Sequence, residues 1–503
     1  MLAIIKSATL RGIDAVEITV EIDAAHGGLP GEAMVGLPDT VVRESKNRIK
    51  SAIKNSGLKY PLKFYTINLA PAELPKEGPF FDVPIAVGIL QATEQAPLLE
   101  NVLFVGELSL NGDVKPIRGA ISICHMAAQK GYTHVVLPFE NYNEARWISA
   151  ITPIPVKNLA EIKAFLEGTF EIPPPPETPV VITPLMEDFS EVKGQLAAKR
   201  VMEIVAAGHH NALLIGSPGS GKTMLLKRLP SIMPDLSVTE AIETFKIRSI
   251  SLKNDGDGFT LQRPFRQPHH SISYAGLVGG GARPQPGEIS LAHRGILFLD
   301  ELPEFPRHVI EVLRQPLEEK RVVLSRASGS ICYPADSLFV SAMNPCPCGY
   351  HGDPKIACTC PRDHMKRYWK KISGPILDRI DLVVFVERLT KMDLTEDLPV
   401  PDNPYTSSKM KTRVLQSRDR QEQRGPRLNS GLTSQEIKQF CGISKEIQVF
   451  LGQMIDRGFL SGRSYVRVLK VARTIADLAG SESISLAHVT EASHYRRGAH
   501  LFE

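Results

Sequence analysis

Over the first 170 or so positions, short apolar runs alternate with stretches whose apolar residues recur every three to four positions. Residues 16–22, 64–69 and 135–137 are rich in β-branched and aromatic side chains and too short for helices, so they predict strands. Residues 39–56, 84–90 and 120–130 carry the helical period and predict helices. Residues 1–172 therefore predict an α+β or α/β domain. A proline-rich stretch, residues 173–184, favours extended geometry and predicts a semi-rigid linker. Past it, residues 189–207 have helical spacing, whereas residues 212–215, 296–299 and 338–343 are almost unbroken apolar runs, the pattern of strands buried on both faces. This predicts an α/β core over residues 185–390, followed by a helical domain over residues 391–503. In that domain residues 461–476 open on a serine cap and repeat apolar positions at 3.6-residue spacing.

One loop gives the α/β core a chemistry. The run at 212–215 feeds Gly216, Ser217, Pro218, Gly219, Ser220, Gly221, Lys222 and Thr223, and an amphipathic helix follows at once. Strand, glycine-rich loop, lysine, hydroxyl and helix in that order form a P-loop, in which backbone N–H groups turn onto phosphates at a helix N-terminus. Lys222 then neutralises phosphate charge and Thr223 ligates Mg²⁺. The run at 296–299 ends in Asp300 and Glu301, two adjacent carboxylates at a strand tip, which is the Walker B pattern. Asp300 there reaches Mg²⁺ through its water shell, while Glu301 orients and deprotonates an attacking water. ATP and Mg²⁺ are the expected ligands.

Composition narrows the setting. A length of 503 residues implies about two to four domains, and 43% hydrophobic with 23% charged residues describes an ordinary globular protein. No apolar run reaches about 18 residues, and the apolar start at residues 1–5 is too short for a signal peptide, so a cytoplasmic protein with no membrane association is expected. The net charge of +4 is weak evidence for a polyanionic partner. Seven cysteines give no disulfide framework, yet Cys346, Cys348, Cys358 and Cys360 fall within one short stretch, with His351 and His364 near them. Four thiolates can complete a tetrahedral Zn²⁺ site, but C-x-C is tighter than the usual C-x₂-C, and packed or redox-active thiols remain the alternative.

Family resemblances add to this. Residues 74–86 and 106–119 resemble the Lon protease domain and its ribosomal-protein-like relatives, which implies a ribosomal protein S5 domain 2-like fold. Phe80 stands at the position of that family's nucleophilic serine and Ile121 at that of its catalytic lysine, and neither can attack a carbonyl or move a proton. A non-proteolytic domain reused for assembly or nucleic-acid binding follows. The P-loop and Walker B elements resemble AAA+ ring ATPases. That likeness implies a sensor 1 role for Asn344, a finger reaching a neighbouring subunit's γ-phosphate for Arg379, and a sensor 2 role for Arg467, with Arg463 as its competitor and the C-terminal helices as a lid. Arg379 could instead pair with Asp378 or Asp381 within the subunit.

Residues 264–273 and 279–295 resemble the magnesium-chelatase-like AAA+ clade, and the whole chain resembles the YifB/ComM family. His269 and His270, in this stretch, have no third ligand nearby and are expected in loop packing or a subunit contact. The resemblance implies a hexameric ring, a DNA partner that is single-stranded or branched, and branch migration during DNA uptake. A predicted hairpin over residues 321–334, ahead of Asn344, sits where hexameric helicases line their channel, which makes Arg321 and Arg326 candidate DNA contacts. The rival expectation is a chelatase-type motor or chaperone subunit that remodels a protein partner.

Overall fold

The computed structural model describes residues 1–25, 29–76, 78–174, 187–251, 259–281, 284–326, 329–388 and 403–496. Most of the predicted proline-rich linker lies outside the described residues. The chain divides into two compact units, Met1–Ile182 with Ser237–Leu261, and Thr183–Leu236 with Gln262–Glu503. Residues 237–261, which the sequence pattern groups with the α/β core, thus belong to the first unit.

Seven strands form the first unit's mixed sheet: β1 (Leu2–Arg11), β2 (Asp14–Ala25), β3 (Gly31–Val35), β4 (Phe64–Ala70), β5 (Val102–Phe104), β6 (His134–Pro138) and β7 (Thr152–Val156). Their order is β3-β4-β2-β1-β5-β6-β7. β1 and β2 make a long antiparallel hairpin, with Leu2 opposite Asp23 and Arg11 opposite Asp14. β5, β6 and β7 run parallel, which requires crossovers, and the helix Ala120–Gln129 supplies the one between β5 and β6. The helix Asp82–Ala92 is buried at every position and packs on β1 and β2. The predicted helix at 39–56 is Thr40–Asn55, capped by Asp39, whose carboxylate accepts from Val42 N at 2.8 Å. Phe80 and Ile121 are core side chains, and Ile121 N donates to Glu144 Oε1 at 3.0 Å. The helix Val238–Ile250, held by a Ser237–Glu240 capping box, packs on Ala120–Gln129, and Phe259 stacks on Trp147 with ring centroids 4.1 Å apart. Those contacts tie residues 237–261 into this unit.

The second unit is built on β8 (Ala212–Ile215), β9 (Phe265–Arg266), β10 (Ile296–Leu299), a hairpin of β11 (Arg321–Arg326) and β12 (Gly329–Pro334), β13 (Leu338–Met343) and β14 (Leu382–Phe385). Five of these form an all-parallel sheet in the order β9-β10-β13-β8-β14. β8, β10 and β13 are buried throughout, as their unbroken apolar sequences require. Register places Ile215 beside Met343 and Leu299 beside Ser341, so the residues that follow these strands, Gly216, Asp300 and Asn344, emerge together at the carboxyl edge where open α/β sheets bind ligands. The C-terminal helices Ser407–Arg424, Lys445–Asp456, Gly462–Leu478 and Leu486–His494 share one apolar core with β8, β10 and β13.

The helix predicted over 189–207 is broken. A short 3₁₀ turn, Phe189–Glu191, is followed by Gly194 and Gln195 at φ 58° and 53°, and the helix proper is Leu196–Gly208. Among the described residues no helix is long and apolar enough to cross a membrane.

Candidate functional site

The P-loop leaves β8 and enters the helix Lys222–Arg228. Gly221, at φ 87° with nothing within 4 Å of a would-be Cβ, is needed for its left-handed backbone rather than for packing. Gly216 is needed for space, since a Cβ there would lie 2.4 Å from Val386 O. Lys222 is nearly buried, and its ammonium donates to Gly216 O (2.7 Å), Ser217 O (3.0 Å) and Asn344 Oδ1 (3.4 Å). Burial lowers its pKa, with the Asp300 and Glu301 carboxylates pulling the other way. The Thr223 hydroxyl donates to Asp300 Oδ2 at 2.8 Å, and Asp300 Oδ1 accepts from Glu301 N at 3.0 Å. Loop, strand-tip carboxylates and Asn344 are thus one constellation.

Glu301 has φ 51°, a left-handed conformation that costs a non-glycine residue on the order of 1 kcal/mol. Its side chain is over half exposed, and His270 Nδ1 lies 3.7 Å from Glu301 Oε2. His270 is therefore beside the acidic pair, while its neighbour His269 bonds the Ser271 hydroxyl at 2.8 Å. Gln195 also joins the site: its amide donates to Ser220 O (3.2 Å) and Glu387 O (2.6 Å), spanning the P-loop and the segment after β14. Sequence spacing does not mark His270 as a partner of the acidic pair. The left-handed backbone at Gly194 and Gln195 turns this amide onto the loop.

Arg379 is placed elsewhere. Its guanidinium pairs with Glu318 and donates to Pro375 O at 2.7 Å, and Asp378 and Asp381, the expected internal partners, are taken by other arginines. Arg463 meets Asp378 at 2.7 Å, and Arg467 meets Asp381 at 2.8 Å. Arg379, Arg463, Arg467, Lys320 and Lys470 line one cavity of about 380 Å³. None of the hydrogen-bond partners of Arg379 or Arg467 among the described residues is a P-loop residue.

The hairpin forms as predicted, with Arg321 opposite Pro334 and Arg326 opposite Gly329. Tyr333 anchors it, its buried hydroxyl donating to Pro284 O at 2.9 Å. Arg321 is exposed and pairs with Glu319 at 3.0 Å, whereas the Arg326 side chain lies outside the described residues. The four cysteines gather: the sulfurs of Cys346, Cys348, Cys358 and Cys360 lie within 4.8 Å of one another. His351 and His364 are not part of that group.

A P-loop on a parallel sheet with a carboxylate pair on the next strand but one defines the class of P-loop nucleotide-binding proteins. Family models place the chain within it. One described as magnesium chelatase, subunit ChlI, matches residues 188–394; a second, subunit ChlI of Mg-chelatase, matches residues 20–141; the ChlI C-terminal model matches residues 404–496. The protein YifB of Escherichia coli K12 is 45% identical over 98% of this chain and 97% of its own length. Competence protein ComM of Haemophilus influenzae is 41% identical over 100% and 99%. Lon protease 2 of Bacillus subtilis is 30% identical over 161 residues, 29% of each chain. The chain belongs to the YifB/ComM family of magnesium-chelatase-like AAA+ proteins.

Proposed function

We propose that the chain is a cytoplasmic AAA+ ATPase that assembles as a homo-hexamer and drives DNA branch migration, a helicase of the ComM type acting in recombination or DNA uptake. The observation that carries the ATPase reading is the convergence at a single sheet edge of two hydrogen-bonded pairs, Lys222 with Asn344 and Thr223 with Asp300. In this reading the N–H groups of the loop from Gly216 to Gly221 cradle the phosphates, and Lys222 exchanges the carbonyls of Gly216 and Ser217 for phosphate oxygens. Thr223 and, through water, Asp300 would hold Mg²⁺, which neutralises charge on the β- and γ-phosphates when bound. Glu301, exposed and strained at the strand tip, deprotonates the attacking water, and Asn344 orients it. Arg379 acts on the nucleotide of a neighbouring subunit and Arg467 serves as sensor 2, the first reading supported by the absence of a P-loop residue among the hydrogen-bond partners of Arg379 in the described residues.

The DNA half draws support from the competence protein among the relatives and from the basic hairpin carrying Arg321 and Arg326. The family models, described as chelatase subunits, favour a second reading, a motor that remodels a protein partner. ATPase rate measured with and without a four-way DNA junction separates the two. Stimulation by the junction supports the DNA motor. An unchanged rate, with no salt-sensitive DNA affinity in the presence of a non-hydrolysable ATP analogue, leaves the remodeller.

A further inference from the structure

We propose that Cys346, Cys348, Cys358 and Cys360 bind one Zn²⁺, and that the metal-held loop braces the P-loop, so that metal loading sets how tightly the chain holds nucleotide. The second clause rests on the nucleotide-site reading above.

The donor set fits the ion. All four thiols are free, and Cys346 Sγ stands 3.3 Å from Cys348 Sγ and 3.6 Å from Cys358 Sγ, with Cys348 Sγ also 3.6 Å from Cys358 Sγ. A tetrahedral centre about 2.3 Å from each sulfur needs spacings of this size. Backbone amides point at the sulfurs: Cys348 N donates to Cys360 Sγ (3.2 Å), His351 N to Cys346 Sγ (3.3 Å) and Cys360 N to Cys358 Sγ (3.5 Å). Amide donors offset the surplus negative charge of four thiolates around a divalent ion and orient them. Packing alone is a poor account, because Cys348, Cys358 and Cys360 are only partly covered. Soft sulfur ligands in a closed set of four select Zn²⁺ in a structural role over a hard, oxygen-seeking cation.

The brace is visible in what the loop touches. Asn344, which meets Lys222, precedes the first ligand by two residues, and Trp369 Nε1 pins Pro345 O between them at 2.8 Å. Gly349 lies against Pro218 so closely that a Cβ would stand 2.7 Å from its ring. Asp353, its side chain fully covered, accepts from Lys355 N (2.9 Å) and Ile356 N (3.0 Å) and lies against the Ser217 hydroxyl, with Arg388 3.9 Å away. Between Cys346 and Cys360 the loop has neither helix nor strand, so closing it falls to the ligands. Opening it removes the support behind Ser217 and Pro218, whose placement fixes the loop amides that meet phosphate.

The test uses full-length protein purified without chelator. Elemental analysis is expected to give about one zinc per chain, and exchange with Co²⁺ to give the thiolate-to-cobalt absorption of a four-sulfur tetrahedral site. Stripping the metal with a mercurial should weaken binding of a fluorescent ATP analogue about tenfold, the scale of one lost charge-assisted contact, and thiol plus Zn²⁺ should restore it. Asp353→Ala should keep the metal and lose similar affinity, while Asp353→Asn, which retains an oxygen for both amides, should lose less. Zinc well below about half an equivalent, with all four thiols freely titratable, overturns the metal site. Unchanged nucleotide affinity after stripping overturns the brace. A zinc-loaded parent that binds no nucleotide removes the nucleotide reading, and the brace with it, while the metal site stands.

Discussion

Glu301 and Lys222 sit in one constellation but have separable tasks. Among the described residues the side chain of Glu301 has His270 as its ion-pair partner, and it is over half exposed. Glu301→Gln keeps the shape and removes the basicity, so ATP affinity should persist while turnover falls by a factor on the order of 10² or more. Single-turnover hydrolysis beside nucleotide binding checks both; hydrolysis near the parent rate assigns the base elsewhere. Lys222→Ala deletes the ammonium that holds Gly216 O, Ser217 O and Asn344 Oδ1 together, and nucleotide binding itself should be lost. Both residues were legible in the sequence because their motifs are contiguous. His270 and Asp353 were not, since each arrives from a segment whose approach only the fold sets.

Among the elements, the C-terminal helices depend on one carboxylate. Asp477, 0% exposed, pairs with Arg424 on the neighbouring helix and with Arg473 one turn earlier, and accepts from Asn429 at 2.8 Å. Asp477→Ala leaves Arg473, 2% exposed, without its charge partner, so denaturant unfolding should show a loss of about 3–5 kcal/mol. The surface pair Arg427–Glu436 provides the contrast, and Arg427→Ala should cost under about 1 kcal/mol. The hairpin of β11 and β12 is a different case, anchored by Tyr333 at its base and carrying cations along its arm. Arg326→Ala should leave assembly and basal hydrolysis near the parent level while weakening DNA binding and lowering its salt slope by about one. Electrophoretic shifts at several salt concentrations read this, and a parallel collapse of basal hydrolysis points instead to misfolding. Element types were largely legible from period and run length, as with Thr40–Asn55 and the buried β8, β10 and β13. The failure at 189–207 has a physical cause: Gln195 takes a left-handed backbone whose cost is offset by hydrogen bonds to Ser220 O and Glu387 O, both distant in sequence.

For the whole molecule, the position of Arg379 poses the question of assembly. It is held by Glu318 in a cavity shared with Arg463 and Arg467, and its Nε is buried without a partner among the described residues. If it serves a neighbour's nucleotide, rings mixed from Arg379→Ala and Lys222→Ala subunits should recover part of the activity that each variant lacks alone. Activity at the sum of the two separate variants, in rings shown by native mass spectrometry to be mixed, returns Arg379 to an internal ion pair. The sequence by itself determined the P-loop, the acidic strand tip, the cysteine cluster and the family, because each is a short contiguous pattern whose chemistry depends on neighbours in the chain. Only the tertiary structure decided that Ser237–Leu261 belongs with the first unit, that His270 stands beside Glu301, and that the cysteine loop lies against Ser217 and Pro218. Those contacts join segments tens to more than a hundred residues apart, and packing in space, not periodicity along the chain, selects them.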